Sequence, residues 1–245
     1  MRTVMNAIFV AKRAYATLPL FEFMRDETLT PRERLSFFPC MAPFILDFGD
    51  LNKYVMRDES SRDPHQLLVN KHTYEDDHHW PWYLEDLTTL GFDRTMATSQ
   101  VLMFLYSDRT CVNRMLMTKL AHLLYDATPV QRLAIIEAIE ETGNVLFALT
   151  TVLARRIEAD EQVKLRYLGD FHFQLETGHA MSGADHRELA AIALDEAQRE
   201  RCLTQVALVF RYFEEWTAEL LTFAAAELRL HERWSHPAAR QSLRA

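Results

Sequence analysis

The sequence predicts an all-α chain folded as one domain, and three observations carry that prediction. Helix-start signals recur along its length. Thr30-Pro31-Arg32-Glu33, Asp63-Pro64 and Thr128-Pro129-Val130-Gln131 each place a capping side chain before a proline at the first helical position, where the missing N–H costs nothing. Apolar residues recur at helical spacing, as at Ile135, Ile139, Leu146, Leu149 and Leu153. No alternating β-branched run with a hairpin dipeptide interrupts them, and glycine is scarce at 6 of 245 residues, which argues against folds rich in tight turns. No repeat, low-complexity tract or linker divides the chain, so residues 1–245 are expected to form a single helical domain with a frayed tail after about residue 231.

The elements follow in order. Residues 1–11 carry one arginine and a short apolar run that Lys12 and Arg13 cut off, with no cleavage-type sequence after them, and read as an amphipathic helix rather than a secretory signal. The capping box at Thr30 opens a second helix. The helix opened by Asp63-Pro64 is expected to run on to Leu90 and stop at Gly91. It would carry Pro81 in its interior, where proline removes a hydrogen bond, kinks the helix and frees the carbonyl of Asp77. Shorter helices fit 95–106 and 108–125. The helix from Thr128 is followed by another over about 160–181, broken at Ser182-Gly183-Ala184-Asp185. The stretch 185–230 is helix-periodic for too long to be one ordinary helix, so a break is expected inside it.

Composition narrows the function. The chain is 49% hydrophobic and 25% charged, which suits a packed globular protein. Its net charge is −8, from 27 basic and 35 acidic residues, and an acidic surface repels phosphate, so nucleic acid is a poor partner. No G-x-G occurs, which excludes a glycine-rich phosphate loop and the dinucleotide fingerprint. The three cysteines, Cys40, Cys111 and Cys202, are odd in number and widely spaced, and read as a reducing, cytoplasmic setting. No apolar run reaches the roughly 18 residues of a membrane span.

The chemistry concentrates in two short windows that hold five of the ten histidines. The first, Lys71 to Trp80, contains His72, Glu75, Asp76, His78 and His79. At about 100° per residue, His72, Glu75, Asp76 and His79 share an arc of about 100° on one helix face, with His78 off it. In the second, His172, Glu176 and His179 stand at i, i+4 and i+7, within about 60° of one another. Three potential ligands on one stripe, set among Phe171, Phe173 and Leu175, are costly to bury unless something binds them. A divalent metal supplies that partner, and mixed imidazole–carboxylate ligation suits iron, manganese or zinc. A third helix supplies Glu137, Glu140 and Glu141, of which Glu140 points along the same direction as Leu133, Ile136, Asn144 and Phe147. Gly178, beside His179, either leaves space for a small molecule or serves close helix packing.

These residues resemble the heme-oxygenase-like diiron oxidases, bundles of about seven core helices that hold iron between three of them. That family shows a carboxylate and a His on the first such helix, a Glu on the second and H-x3-(D/E)-x2-H on the third. His172, Glu176 and His179 match the third element in full, and Glu140 or Glu141 stands about thirty residues upstream. The first element departs from the usual form: His72 stands where members often have Glu, seven before His79, while Asp76 and Glu75 stand three and four before it. Trp82, Leu84, Asp86, Leu87 and Gly91 also resemble the residues after the ligand His in many members. The resemblance implies a ligand set of Glu75, His79, Glu140, His172, Glu176 and His179, with His72, Asp76 and Glu141 in reserve. It implies two ferrous ions per chain, O2 as co-substrate, a homodimer and an external electron donor. The implied reaction is oxidation of a small amino acid or amine in natural product biosynthesis, by N-oxygenation or by C–C or C–N cleavage, including nitrile formation. Three alternatives stand beside it: oxidative decarboxylation of a fatty acid within the same family, a ferritin-like diiron protein built on Glu75-x-x-His78 and Glu176-x-x-His179, and a metal-binding helical protein without turnover.

An aromatic-lined pocket is expected near the stripes, with Trp82, Phe147 and Phe171 as its candidate walls. Arg114, Lys119 and Arg166 are the candidates to hold a substrate carboxylate.

Overall fold

The computed structural model describes the backbone of residues 1–179 and 185–235 and the side chains of 1–175 and 188–229. Among these residues every regular element is helical. Helix α1 (Arg2–Tyr15) buries Val4, Met5 and Ile8 on one face and leaves Lys12 and Arg13 in its last turn, as its pattern demands. Helix α2 (Pro19–Arg25) and the single turn α3 (Pro31–Arg34) follow. The capping box is formed as read: Thr30 accepts from the Glu33 N–H and Glu33 reaches back to the Thr30 N–H.

A 3₁₀ turn (Phe38–Met41) leads into α4 (Ala42–Asp50), which runs on through a π-helical turn (Leu51–Met56). Helix α5 (Pro64–Asp76) starts where Asp63 accepts from the His65 and Gln66 N–H groups. The single helix expected from Asp63 to Leu90 is instead two: α5 ends at Asp76, and α6 (Trp80–Thr89) begins after His79. Pro81 accounts for the break. Its ring is tolerated in the first turn of a helix and not in the middle, so the chain restarts and Pro81 falls at the start of α6.

Next come α7 (Thr98–Leu105), a 3₁₀ turn (Asp108–Thr110) and α8 (Cys111–Tyr125). The Thr128 capping box opens α9 (Pro129–Glu161), whose 33 residues span about 50 Å. It is longer than read: the helix expected to start near residue 160 starts at Asp170, and Gln162 closes α9 in the left-handed region with φ 56°. Helix α10 (Asp170–His179) follows, then α11 (Asp185–Ala191) and α12 (Glu196–Ser235), so the break expected within 185–230 falls at 192–195. The tail from 236 onward lies outside the described residues.

Helix α9 is the axis of the assembly. It packs against α1, α2, α3, α5, α10 and α12, and apolar residues are buried all round it from Leu133 to Ile157. Buried apolar residues from α1, α2, α4, α8, α9 and α12 join in one hydrophobic cluster. Glu137 and Glu141 are among the polar groups buried along α9, and Glu141 is paired with Lys12 of α1. Among the described residues, no helix is long and apolar enough to cross a membrane, and all three cysteines are free thiols.

Candidate metal centre

The junction of α5 and α6 sets the first part of the site. Gly49 on α4 lies so close to the Asp77 carbonyl that a Cβ there would sit 2.9 Å from its oxygen. The chain can therefore turn sharply between Asp76 and His79, directing both side chains to one cavity. Glu140 from α9 and His172 from α10 line the same cavity. Four candidate ligand residues from three regions of the chain thus border a single pocket of about 70 Å³.

Two polar chains meet there. In the first, Nε2 of His72 lies 2.9 Å from Oδ2 of Asp76 and 3.4 Å from Oε1 of Glu140. These three residues offer ligand atoms all within 4.8 Å of one another. Although the His72 contact is close, neither oxygen of Asp76, which is 3% exposed, makes a well-directed hydrogen bond. A buried carboxylate in that condition is costly, and a cation among the three residues would repay it. Burial by itself would lower the His72 pKa. The Asp76 and Glu140 carboxylates outweigh burial and raise it well above the ordinary histidine value, so the ring carries a proton.

In the second chain, Nε2 of His172 is 3.0 Å from Nδ1 of His79, and Nδ1 of His172 is 2.9 Å from the carbonyl of Tyr167. The histidines are 8% and 2% exposed. Trp82 stacks on His79 with centroids 4.6 Å apart and planes at 21°, while Phe147 meets the His172 ring edge-on at 4.4 Å.

The reserve residues sort themselves by helix phase. Asp76, not Glu75, is the α5 carboxylate in the cluster; Glu75 is half-buried and stands outside it, one residue and so about 100° away. Glu140 faces the cavity, whereas Glu141 turns to α1 and forms an ion pair with Lys12, also accepting from Asn144 at 3.3 Å. His78 is exposed and pairs with Asp77, so the Glu75-x-x-His78 pattern does not reach the cavity. The side chains of Glu176 and His179, the rest of the third motif, lie outside the described residues, as do the surroundings of Gly178.

The pocket walls need correcting. Phe147 lines the cavity, but Trp82 and Phe171 do not. Trp82 covers the outer face of His79, and Phe171 is 46% exposed beside it. Their place is taken by residues far off in sequence: Phe44 and Phe48 on α4, Trp80 on α6, and Phe213 and Trp216 on α12. None of the basic candidates enters. Arg114 donates to the Leu105 and Ser107 carbonyls, Lys119 pairs with Glu215, and Arg166 pairs with Glu85 and lies over Trp82.

Asp86 stood out in sequence only as part of the family resemblance, with no role attached to it. Its buried carboxylate accepts three successive backbone N–H groups, from Arg166 at 2.8 Å, Tyr167 at 3.0 Å and Leu168 at 2.9 Å. Burial pushes this carboxyl up to about 6, against the downward pull of those three bonds. Arg155 on α9 holds Asp170, the first residue of α10, through Nη2 at 2.6 Å and Nε at 3.0 Å. The helix that carries His172 is therefore pinned at its start from both α6 and α9.

No protein-family model matches this chain, and no curated protein matches it. The functional reading rests on the residues themselves.

Proposed function

We propose that this chain is a non-heme diiron oxidase or oxygenase of the heme-oxygenase-like class, acting with O2 on a small, largely apolar organic substrate. One observation carries the proposal: His79, Glu140 and His172 of the expected ligand set, and Asp76 from its reserve, line one pocket, with His72 against two of them. The donor set is mixed imidazole and carboxylate, which suits redox iron better than a closed structural zinc site. Asp76, Glu140 and His72 would hold one iron, and His79 and His172 the other, with Glu176 and His179 as the sequence-level candidates to complete the set. Bound iron supplies the reduction of O2 and the oxidising power.

The rest of the work falls to the protein. Phe44, Phe48, Phe147, Phe213 and Trp216 exclude water and present an apolar wall to the substrate. The described residues of that wall include no lysine or arginine. A substrate amine or carboxylate would therefore turn toward the metal side of the cavity, with its aryl or alkyl part against the wall. This is compatible with an amino acid or amine, and equally with the fatty-acid alternative. His72 would hold a proton at Nε2 between Asp76 and Glu140 until a cation replaces it. A homodimer, a cytoplasmic setting and an external electron donor complete the reading.

Anaerobic titration with ferrous ion, followed by mixing with O2, tests it. Two irons bound per chain, and O2 consumed by the iron-loaded protein but not by the metal-free one, are expected. No iron uptake would leave a helical protein of another role.

A further inference from the structure

We propose that Asp86 is a positioning residue that decides which nitrogen of His172 is offered to the site. The inference rests on the reading of His172 as a metal ligand, but its argument is purely geometric. The chain between α9 and α10 turns on two carboxylates. Leu165 donates its N–H to Glu158 at 2.9 Å, and the next three N–H groups, of Arg166, Tyr167 and Leu168, all go to Asp86.

A trans peptide is planar, and its N–H and C=O point in opposite directions. In the unit joining Tyr167 to Leu168, the N–H points at Asp86, so the Tyr167 carbonyl points away from it and meets Nδ1 of His172 at 2.9 Å. In the unit joining Arg166 to Tyr167, the N–H again points at Asp86, and the Arg166 carbonyl accepts the backbone N–H of His172 at 3.2 Å. Two consecutive peptide units thus connect the carboxylate on α6 with the ring and the backbone of His172.

The consequence is a fixed tautomer. A carbonyl only accepts, so Nδ1 of His172 carries a proton, and a neutral ring then has its lone pair on Nε2. That nitrogen faces His79. In the metal-free protein it accepts the His79 Nδ1–H, and it is the atom a metal would take. Without Asp86 the Leu168 N–H loses its acceptor, the peptide unit that aims the Tyr167 carbonyl at Nδ1 loses that anchor, and the ring is released to exchange its proton between nitrogens.

The test uses metal-free protein labelled with nitrogen-15 in its imidazoles, at pH 7.5. His172 of the unmodified chain should show a protonated Nδ1 and an unprotonated Nε2. Asp86→Ala should move both signals toward the averaged values of exchanging tautomers. Glu158→Ala, which removes the neighbouring carboxylate of the same turn, should leave the His172 signals in place, a difference that a general loosening of the turn would not produce. The Tyr167 and Leu168 amides should exchange with solvent at least about 100-fold more slowly than exposed loop amides.

A folded Asp86→Ala protein with unchanged His172 signals would overturn the proposal. So would fast exchange of those two amides in the unmodified chain, a measurement that stands even where the variant does not fold. Cobalt(II) titration of the same samples separates the two readings. The tautomer pattern without any metal uptake would sink the metal reading and leave the Asp86 assignment intact. Uptake together with a mixed tautomer in the unmodified chain would do the reverse. With both readings right, Asp86→Ala should weaken cobalt binding by about 10- to 100-fold, the usual effect of losing the group that orients a ligand histidine.

Discussion

Nε2 of His172 lies 3.0 Å from Nδ1 of His79, a hydrogen bond between buried rings 93 positions apart in the chain. It brings the start of α6 and the first turns of α10 to one point on the cavity wall. Each ring satisfies a nitrogen of the other, so truncating either leaves a buried polar atom without that bond and a space where a ring had packed. We expect His79→Ala and His172→Ala each to lower the stability of the metal-free protein by about 2–4 kcal/mol. On the diiron reading, both should lose at least one equivalent of bound iron per chain while keeping a helical circular dichroism spectrum. Iron content unchanged in both variants would remove these two residues from the ligand set.

His72 makes a separate prediction about protons. Its ring is buried, which disfavours the charge, but Asp76 and Glu140 flank it and raise its pKa well above the ordinary value, so at pH 7 it is protonated. A divalent metal among the same three residues replaces that proton. Metal binding near pH 7 should therefore release about one proton from this cluster, and affinity should rise with pH until His72 titrates. Calorimetric titration of zinc or cobalt in two buffers of different ionisation enthalpy measures the number released. Binding without proton release would mean that the cation seats elsewhere.

The helix starts at Thr30, Asp63 and Thr128, their caps and the break inside 185–230 were legible from periodicity and capping chemistry, because those signals are local. The break at 77–79 was not. An interior proline and a restart with proline in the first turn share one local pattern; in the fold Pro81 takes the restart, and Gly49 on α4 leaves room for the Asp77 carbonyl at the junction. The same holds for the site. The windows around His79 and His172 stood out because unpaired ligands on an apolar stripe are costly. Whether Glu75 or Asp76 turns inward depends on the phase of α5 against α9, which spacing along one helix cannot set. Trp82 and Phe171 lie near the candidate ligands in sequence yet outside the cavity, while Phe44 and Trp216 wall it from elements with no motif at all. Asp86 was visible only as part of a family resemblance, and its role depends on three backbone N–H groups some 80 residues away.

Asp86 also sets a pH dependence of stability. In the unfolded chain its pKa is near 3.8, and in the folded chain burial pushes it up to about 6. The folded state therefore binds more protons between those values, and stability falls as pH rises from about 4 to about 6, then levels off. Two pH units correspond to about 3 kcal/mol from this group, and with the residue 1% exposed solvent screening does little to reduce it. The check is urea unfolding of the metal-free protein at intervals across that range, alongside Asp86→Ala, in which this part of the slope should vanish. A slope of opposite sign that disappears in the variant would show that the three backbone bonds outweigh burial.

The glycines give a graded prediction that separates close approach from free space. A Cβ on Gly169 would lie 2.2 Å from the Leu165 carbonyl oxygen and 3.4 Å from Oε1 of Glu158, inside the turn that precedes α10. Backbone cannot yield cheaply there, so Gly169→Ala should cost about 3 kcal/mol or more, at the high end of overpacking penalties, and should displace His172 enough to lose metal uptake. A Cβ on Gly49 would meet the Asp77 oxygen at 2.9 Å, a milder conflict at the α5–α6 junction, and Gly49→Ala should cost about 1–2 kcal/mol. Gly143 is the contrasting case. It sits within α9 on the cavity wall, and its nearest neighbour would be a Phe147 ring carbon at 3.7 Å, an ordinary contact. Alanine favours helix over glycine by about 1 kcal/mol, so Gly143→Ala should stabilise the chain by up to that amount while narrowing the cavity. Thermal unfolding of the three variants should thus rank Gly143→Ala above the unmodified chain, followed by Gly49→Ala and then Gly169→Ala. If Gly169→Ala proves neutral, the turn that holds His172 does not pack as described.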